Sequence, residues 1–230
     1  MPFKVPTSPL PALLVLLSGV TGLVDAVSVL GLGKVFTANM TGNVVFLGFA
    51  LVGTAGFAAL PLVLSLIGFL AGSLAAGILG RHAAARPLRH WLMHAAVIEA
   101  TLFALAAACA AGPAASAGDG LYPIIMLTAA AMGLRNATVR QLKVPDLTTT
   151  VVTLTLAGLA ADSRLAGGHD PNLGRRIAAV LAILAGAAIG AALVSRFGLV
   201  VPLVSAGLIT VAATALCSLH SSTARPHAVE

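Results

Sequence analysis

Six long apolar runs, at roughly 10–32, 58–80, 91–111, 121–139, 176–196 and 198–218, dominate the chain. Each is close to the ~20 residues that a helix needs to cross the hydrocarbon core of a bilayer. Their ends carry breakers and charge: Pro11, RHAAARPLRH at 81–90, GPAASAGDG at 112–120 and GGHDPNLGRR at 167–176. Two further apolar segments, 38–54 and 147–162, are shorter, and each opens on a polar cluster. The runs are continuous and lack the alternation of lipid-facing barrel strands. The pattern predicts an all-α polytopic membrane protein: six long transmembrane helices plus two short helices that are re-entrant, broken or fully spanning.

The polar interruptions recur. GLVDAV at 22–27 runs into FTANMTGNVV at 36–45, and about 110 residues later GLRNAT at 133–138 runs into DLTTTVV at 146–152. A small-residue motif follows each block, Gly68…Gly72 and then Gly186…Gly190, and an arginine ends each of those helices, Arg81 and Arg196. This order predicts a two-fold internal repeat within a single transmembrane domain covering 1–230, with halves at roughly 10–111 and 121–218. Three spans per half would make the halves inverted; four would make them parallel. Inverted repeats with broken helices commonly hold a site at the repeat interface.

Composition supports the membrane reading. Hydrophobic residues make up 59% of the chain and charged residues 9%, with a mean hydropathy of +1.03. Soluble domains carry about 25% charge, so the excess apolar surface must face lipid. The net charge of +6 comes largely from clustered arginines, among them Arg81, Arg86 and Arg89, then Arg135 and Arg140, then Arg164, Arg175 and Arg176. Such clusters mark cytoplasmic loops and not a nucleic-acid partner. Six spans put every arginine-rich loop on one side, with both termini cytoplasmic, whereas eight spans put the loop at 163–176 opposite the loop at 81–90. The first run mimics a secretory signal, but it continues to Leu32 and contains Asp25, so it is read as the first span. Cys109 and Cys217 sit in apolar runs as small hydrophobes.

Candidate path residues follow from the cost of polar groups in lipid. A carboxylate at the bilayer centre costs roughly 2.5–3.5 kcal/mol on insertion scales. Asp25, well into the first run, is therefore either a cation or proton site or a structural hydrogen-bonding group. Asn136 is its counterpart in the second half and cannot titrate. Asn39, Thr41 and Asn43 open the first short segment and Thr148, Thr149 and Thr150 the second. At a helix start inside the membrane they would either present free N–H groups to a solute or act as caps, with Thr41 as the N-cap. Arg135 either snorkels to the interface or pairs with Asp25 across the halves. Glu99 is a candidate second proton site. His90 and His94 share a helix face, but histidines beside arginines at a helix entrance read as interfacial, and no metal or cofactor is expected. No nucleophile elbow, phosphate loop, zincin motif or dinucleotide fingerprint occurs, so no enzyme is expected.

The two polar blocks also carry a resemblance. GLVDAVSVLGLGKVFTANMTGNVVFLG at 22–48, GLRNATVRQL at 133–142 and LTTTVVTLTL at 147–156 resemble the signatures of the YoaK family, uncharacterised bacterial polytopic membrane proteins with a domain of unknown function. The resemblance covers essentially the whole chain and implies a multi-pass protein of the bacterial inner membrane, without assigned catalytic or binding residues. The short GTAG turn at 53–56 departs from the more polar linker it implies there. The combined expectation is a small-solute transporter or permease with a polar site between the repeats. It would sit in the lipid bilayer as a homo-oligomer and carry an unknown small solute or ion. A passive channel and a non-transporting scaffold are the alternatives.

Overall fold

The computed structural model describes residues 8–83, 87–113, 118–144, 152–169 and 172–224. Among these residues there are eight α-helices and no strand: α1 (Leu10–Gly31), α2 (Met40–Leu51), α3 (Ala59–Ala83), α4 (Leu88–Ala111), α5 (Leu121–Leu142), α6 (Val152–Ala161), α7 (Leu173–Phe197) and α8 (Val200–Ser218). The six long helices and two short ones fall where the apolar runs place them. Several extend past those runs: α3 through Arg81 and His82, α5 through Arg140 and Gln141, and α7 back to Leu173. Apolarity marks what can face lipid, but backbone hydrogen bonding continues into polar residues of adequate helix propensity.

Five of the long helices, α1, α3, α4, α7 and α8, are long and apolar enough to cross a membrane. The exception is α5, which has 22 residues but includes Arg135, Asn136, Arg140 and Gln141. Half of α5 is buried, Arg135 among those positions, while Arg140 near its end is exposed. At α7–α8 the chain reverses over two residues. Gly198 adopts φ 66°, ψ −155°, a conformation an L side chain would resist.

The helices pack in defined pairs: α1 along α7, α3 along α5, α4 against both α8 and α5, and α1 against α8. Glycine lets the first two pairs approach closely. A Cβ at Gly72 would overlap the Ala130 carbonyl, and one at Gly133 the Phe69 carbonyl; on the other pair, Gly186 meets Gly19 and Gly22 meets Ile183 in the same way. Packing between backbones of this kind holds membrane helices together where lipid removes the hydrophobic drive.

Two apolar clusters mark the ends of the bundle. One joins Val27 and Leu32 of the α1 end to Leu62, Phe103, Ile124 and Leu203. The other joins Leu13 and Leu14 of the α1 start to Val139, Ala179, Ala213 and Cys217. Successive long helices therefore run in alternating directions. The short α2, at 12 residues, is about 18 Å long against a hydrocarbon core of about 30 Å. It folds back along α3, with Phe46 and Phe49 against Phe57 at 5.0 and 5.3 Å between ring centroids.

Candidate functional site

The polar block of the first half is built on the α1–α2 connection. Asn43 donates from Nδ2 to the Phe36 carbonyl at 2.6 Å and to Ser65 Oγ at 3.0 Å, while its Oδ1 accepts the Phe36 N–H at 2.9 Å. Ser65 also donates to the Phe36 carbonyl, at 2.6 Å. The connection is thereby drawn into the bundle, with Thr37 and Asn43 fully buried. Asn43 is a clamp for the backbone and does not line the cavity described next. The N-cap of α2 is Asn39, whose Oδ1 accepts the Gly42 N–H at 3.3 Å. This corrects the assignment of that role to Thr41, which lies one residue inside the helix and is exposed.

Beside this connection lies a cavity of about 630 Å³. From the first half its wall includes Asp25, Asn39 and Thr41; from the second it includes Asn136 and the first described residues of α6, Val152 and Thr153. Phe46 and Phe69 complete an aromatic part of the wall. Asp25 Oδ1 is buried with no hydrogen-bond partner among the described residues. Asn136 donates to the Met132 carbonyl of its own helix at 2.9 Å and makes further contact. Thr148, Thr149 and Thr150 lie outside the described residues.

Arg135 and Glu99 form a separate site. Arg135 Nη2 is hydrogen-bonded to Glu99 Oε1 as an ion pair and donates to Thr210 Oγ1 at 2.9 Å. Its Nη1 donates to the Leu17 carbonyl at 3.1 Å and approaches Thr21 Oγ1 at 3.4 Å. Both side chains are buried, Arg135 at 1% exposure and Glu99 at 3%. Neither expectation for Arg135 holds: it does not snorkel, and its partner is Glu99 instead of Asp25. The reason is helical phase, since adjacent residues point about 100° apart. With Asn136 on the cavity, Arg135 turns toward α4 and α8. The void bordering Glu99, Arg135 and Thr138 measures only about 20 Å³, the size of one water, so no solute fits there.

Thr21, Thr210, Phe46, Phe69 and Thr153 escaped the sequence reading. A signal existed for Thr21, one helical turn before Asp25 on the same face of α1. None existed for the two phenylalanines, which are indistinguishable in sequence from lipid-facing residues.

At the ends of the bundle, Arg176 pairs with Asp162 at 2.7 Å and packs on Gly158, tying α6 to α7. Lys34 Nζ lies 5.7 Å from the Phe57 ring centroid, which brings the α1–α2 and α2–α3 connections together.

Among known proteins, the chain is similar to the UPF0700 transmembrane protein YoaK of Bacillus subtilis (strain 168), with 33% identity over 150 residues, 65% of this chain. The chain spans 65% of the length of that relative. No solved structure matches. The family of proteins described as "Protein of unknown function (DUF1275)" matches across residues 13–215. The chain, a multi-pass transmembrane protein, belongs to this family of unknown function.

Proposed function

We propose that this protein is a small-solute permease of the bacterial inner membrane, with its solute site in the cavity between two inverted structural repeats. One observation carries the reading. The cavity of about 630 Å³ brings Asp25, Asn39 and Thr41 of the first half against Asn136 and Thr153 of the second. Cavities of ~300–1,000 Å³ with a few convergent polar groups are the usual form of small-molecule sites. Polar groups in a membrane interior that line a cavity are the ones expected to meet a solute.

The repeat reading draws on the packing. Under the mapping of α1–α4 onto α5–α8, the α1–α7 pair becomes the α5–α3 pair, and α4–α8 maps onto itself. The close approaches exchange in the same way: Gly72 on Ala130 corresponds to Gly186 on Gly19, and Gly133 on Phe69 to Gly22 on Ile183. That register equates Gly72 with Gly186, one turn away from the match of Gly68 with Gly186 that the small-residue motif suggests.

In this reading six helices span, α5 among them, and α2 and α6 are half-helices entering from opposite sides. Lys34 and Phe57 flank α2 and meet at one end of the bundle, as a re-entrant α2 requires. Arg81, Arg89, Arg140 and Lys143 are exposed at the opposite end, which the positive-inside bias makes cytoplasmic together with both termini.

Reconstitution into liposomes tests the proposal. Osmotic swelling with small polar solutes should exceed that of empty liposomes. A bulky thiol reagent on Thr41→Cys should abolish it. Swelling equal to empty liposomes for every solute, or unaffected by the block, overturns the reading. Cysteines at Lys34 and Gly53 should be modified from the same side; modification from opposite sides overturns the six-span arrangement.

A further inference from the structure

The cavity wall carries one uncompensated acid. Among the described residues, Asp25 Oδ1 is buried without a hydrogen-bond partner, and those lining the cavity include no lysine, arginine or histidine. Arg135, the buried guanidinium one residue away from Asn136, is committed to Glu99, Thr210 and the Leu17 carbonyl on the other side of α5. Glu99 thus has a buried guanidinium beside it, whereas Asp25 Oδ1 faces no partner among the described residues. A buried charge left alone is costly, and partnering by an opposite charge removes much of that cost.

Three features of the site narrow what the partner is. A bound calcium or magnesium ion draws about six or more oxygen ligands to within about 2.6 Å, and among the described residues the cavity of about 630 Å³ offers a single carboxylate and no group of three or more potential metal ligands. Phe46 and Phe69 on the same wall offer ring faces, which attract ammonium groups, and apolar surface for a short carbon skeleton. The side-chain oxygens of Asn39, Thr41, Asn136 and Thr153 can accept hydrogen bonds from the remaining N–H groups.

From this we infer that the solute is a small organic ammonium compound, with the Asp25 carboxylate as its counter-ion and Phe46 and Phe69 against its carbon skeleton. The inference rests on the permease reading of the same cavity and deepens it by naming the substrate class.

Calorimetric titration of the purified full-length protein with n-butylammonium, n-butanol and sodium ion tests it. Butylammonium should bind saturably, butanol should not, and Asp25→Asn should weaken binding at least about tenfold, equivalent to about 1.4 kcal/mol. Asn136→Asp adds a second carboxylate on the same cavity and should tighten binding of the diammonium 1,4-diaminobutane; this readout survives if Asp25→Asn fails to fold. Equal binding of butanol, binding unchanged in Asp25→Asn, or Asp25-dependent binding of sodium without binding of butylammonium each overturns the inference. Swelling with glycerol, carried out alongside, separates the two levels. Blockable glycerol flux without ammonium binding leaves the permease standing and removes the amine, whereas loss of both removes both.

Discussion

Glu99 and Asp25 are both carboxylates inside the helix bundle, yet their surroundings differ in every respect that matters energetically. Glu99 is enclosed between α4, α5 and α8, paired with Arg135 and approached by the Thr210 hydroxyl at 3.4 Å, beside a void no larger than a water. Asp25 faces a cavity some thirty-fold larger, and its Oδ1 has no partner among the described residues. The first arrangement closes on itself and links four helices, because Arg135 also reaches α1 through Leu17 and Thr21. The second is left open toward a space that a solute can enter. Under the proposed function, the first carboxylate serves stability and the second recognition.

The comparison can be broken most directly at the ion pair. Arg135→Ala leaves Glu99 buried and alone, and should cost about 3–5 kcal/mol, read as a lower midpoint of unfolding in detergent. The double variant Glu99→Leu with Arg135→Met should be more stable than either single change. Arg135→Ala with a wild-type midpoint would remove the structural role assigned to the pair.

Next in size is the packing. Gly72→Val and Gly186→Val both force a side chain against a carbonyl of the facing helix, and each should destabilise by about 1–3 kcal/mol. Similar losses at the two positions support the proposed register, and a loss at one position only contradicts it. Asn43→Ala leaves the Phe36 N–H without its acceptor and the Ser65 hydroxyl without one of its partners, a cost of about 1–3 kcal/mol for buried groups. The same change should expose the turn at Gly53 to proteolysis. The smallest loss of stability is expected at Asp25→Asn, which removes a buried carboxylate that lacks a partner at Oδ1 among the described residues and should leave the unfolding midpoint no lower than wild type, while solute binding weakens. A large drop in stability at this position, comparable with Arg135→Ala, would mean that Asp25 is structural after all.

Much of the architecture was legible along the chain. Every helix lies on an apolar run, and the two short ones begin beside the polar blocks that mark them. Hydropathy reads well in a membrane because every spanning segment must satisfy its own backbone and face lipid, a constraint that acts on contiguous residues. The cavity was legible in part: Asp25, Asn39, Thr41 and Asn136 were found from their polarity, and the structure brings them to one wall. The pairing of Arg135 was not. Its partner is 36 positions away on another helix, and the direction of an arginine one residue from a cavity-facing asparagine depends on rotation about α5. Under the proposed repeat, the register differs by one turn from the small-residue motif for a related reason. Glycines spaced by four repeat the same face of the helix, so only the facing carbonyls tell Gly68 from Gly72.

By itself, the sequence determined that the chain is a polytopic helical membrane protein, where its helices lie, and that two polar blocks interrupt them. These properties follow from local composition and the cost of polar groups in hydrocarbon. Tertiary structure alone decided that Glu99 takes the arginine, that Asn43 clamps the α1–α2 connection, and that Phe46 and Phe69 join Asp25 and Asn136 around one cavity. Those outcomes depend on helix phase and on the register between distant helices, which no local pattern encodes.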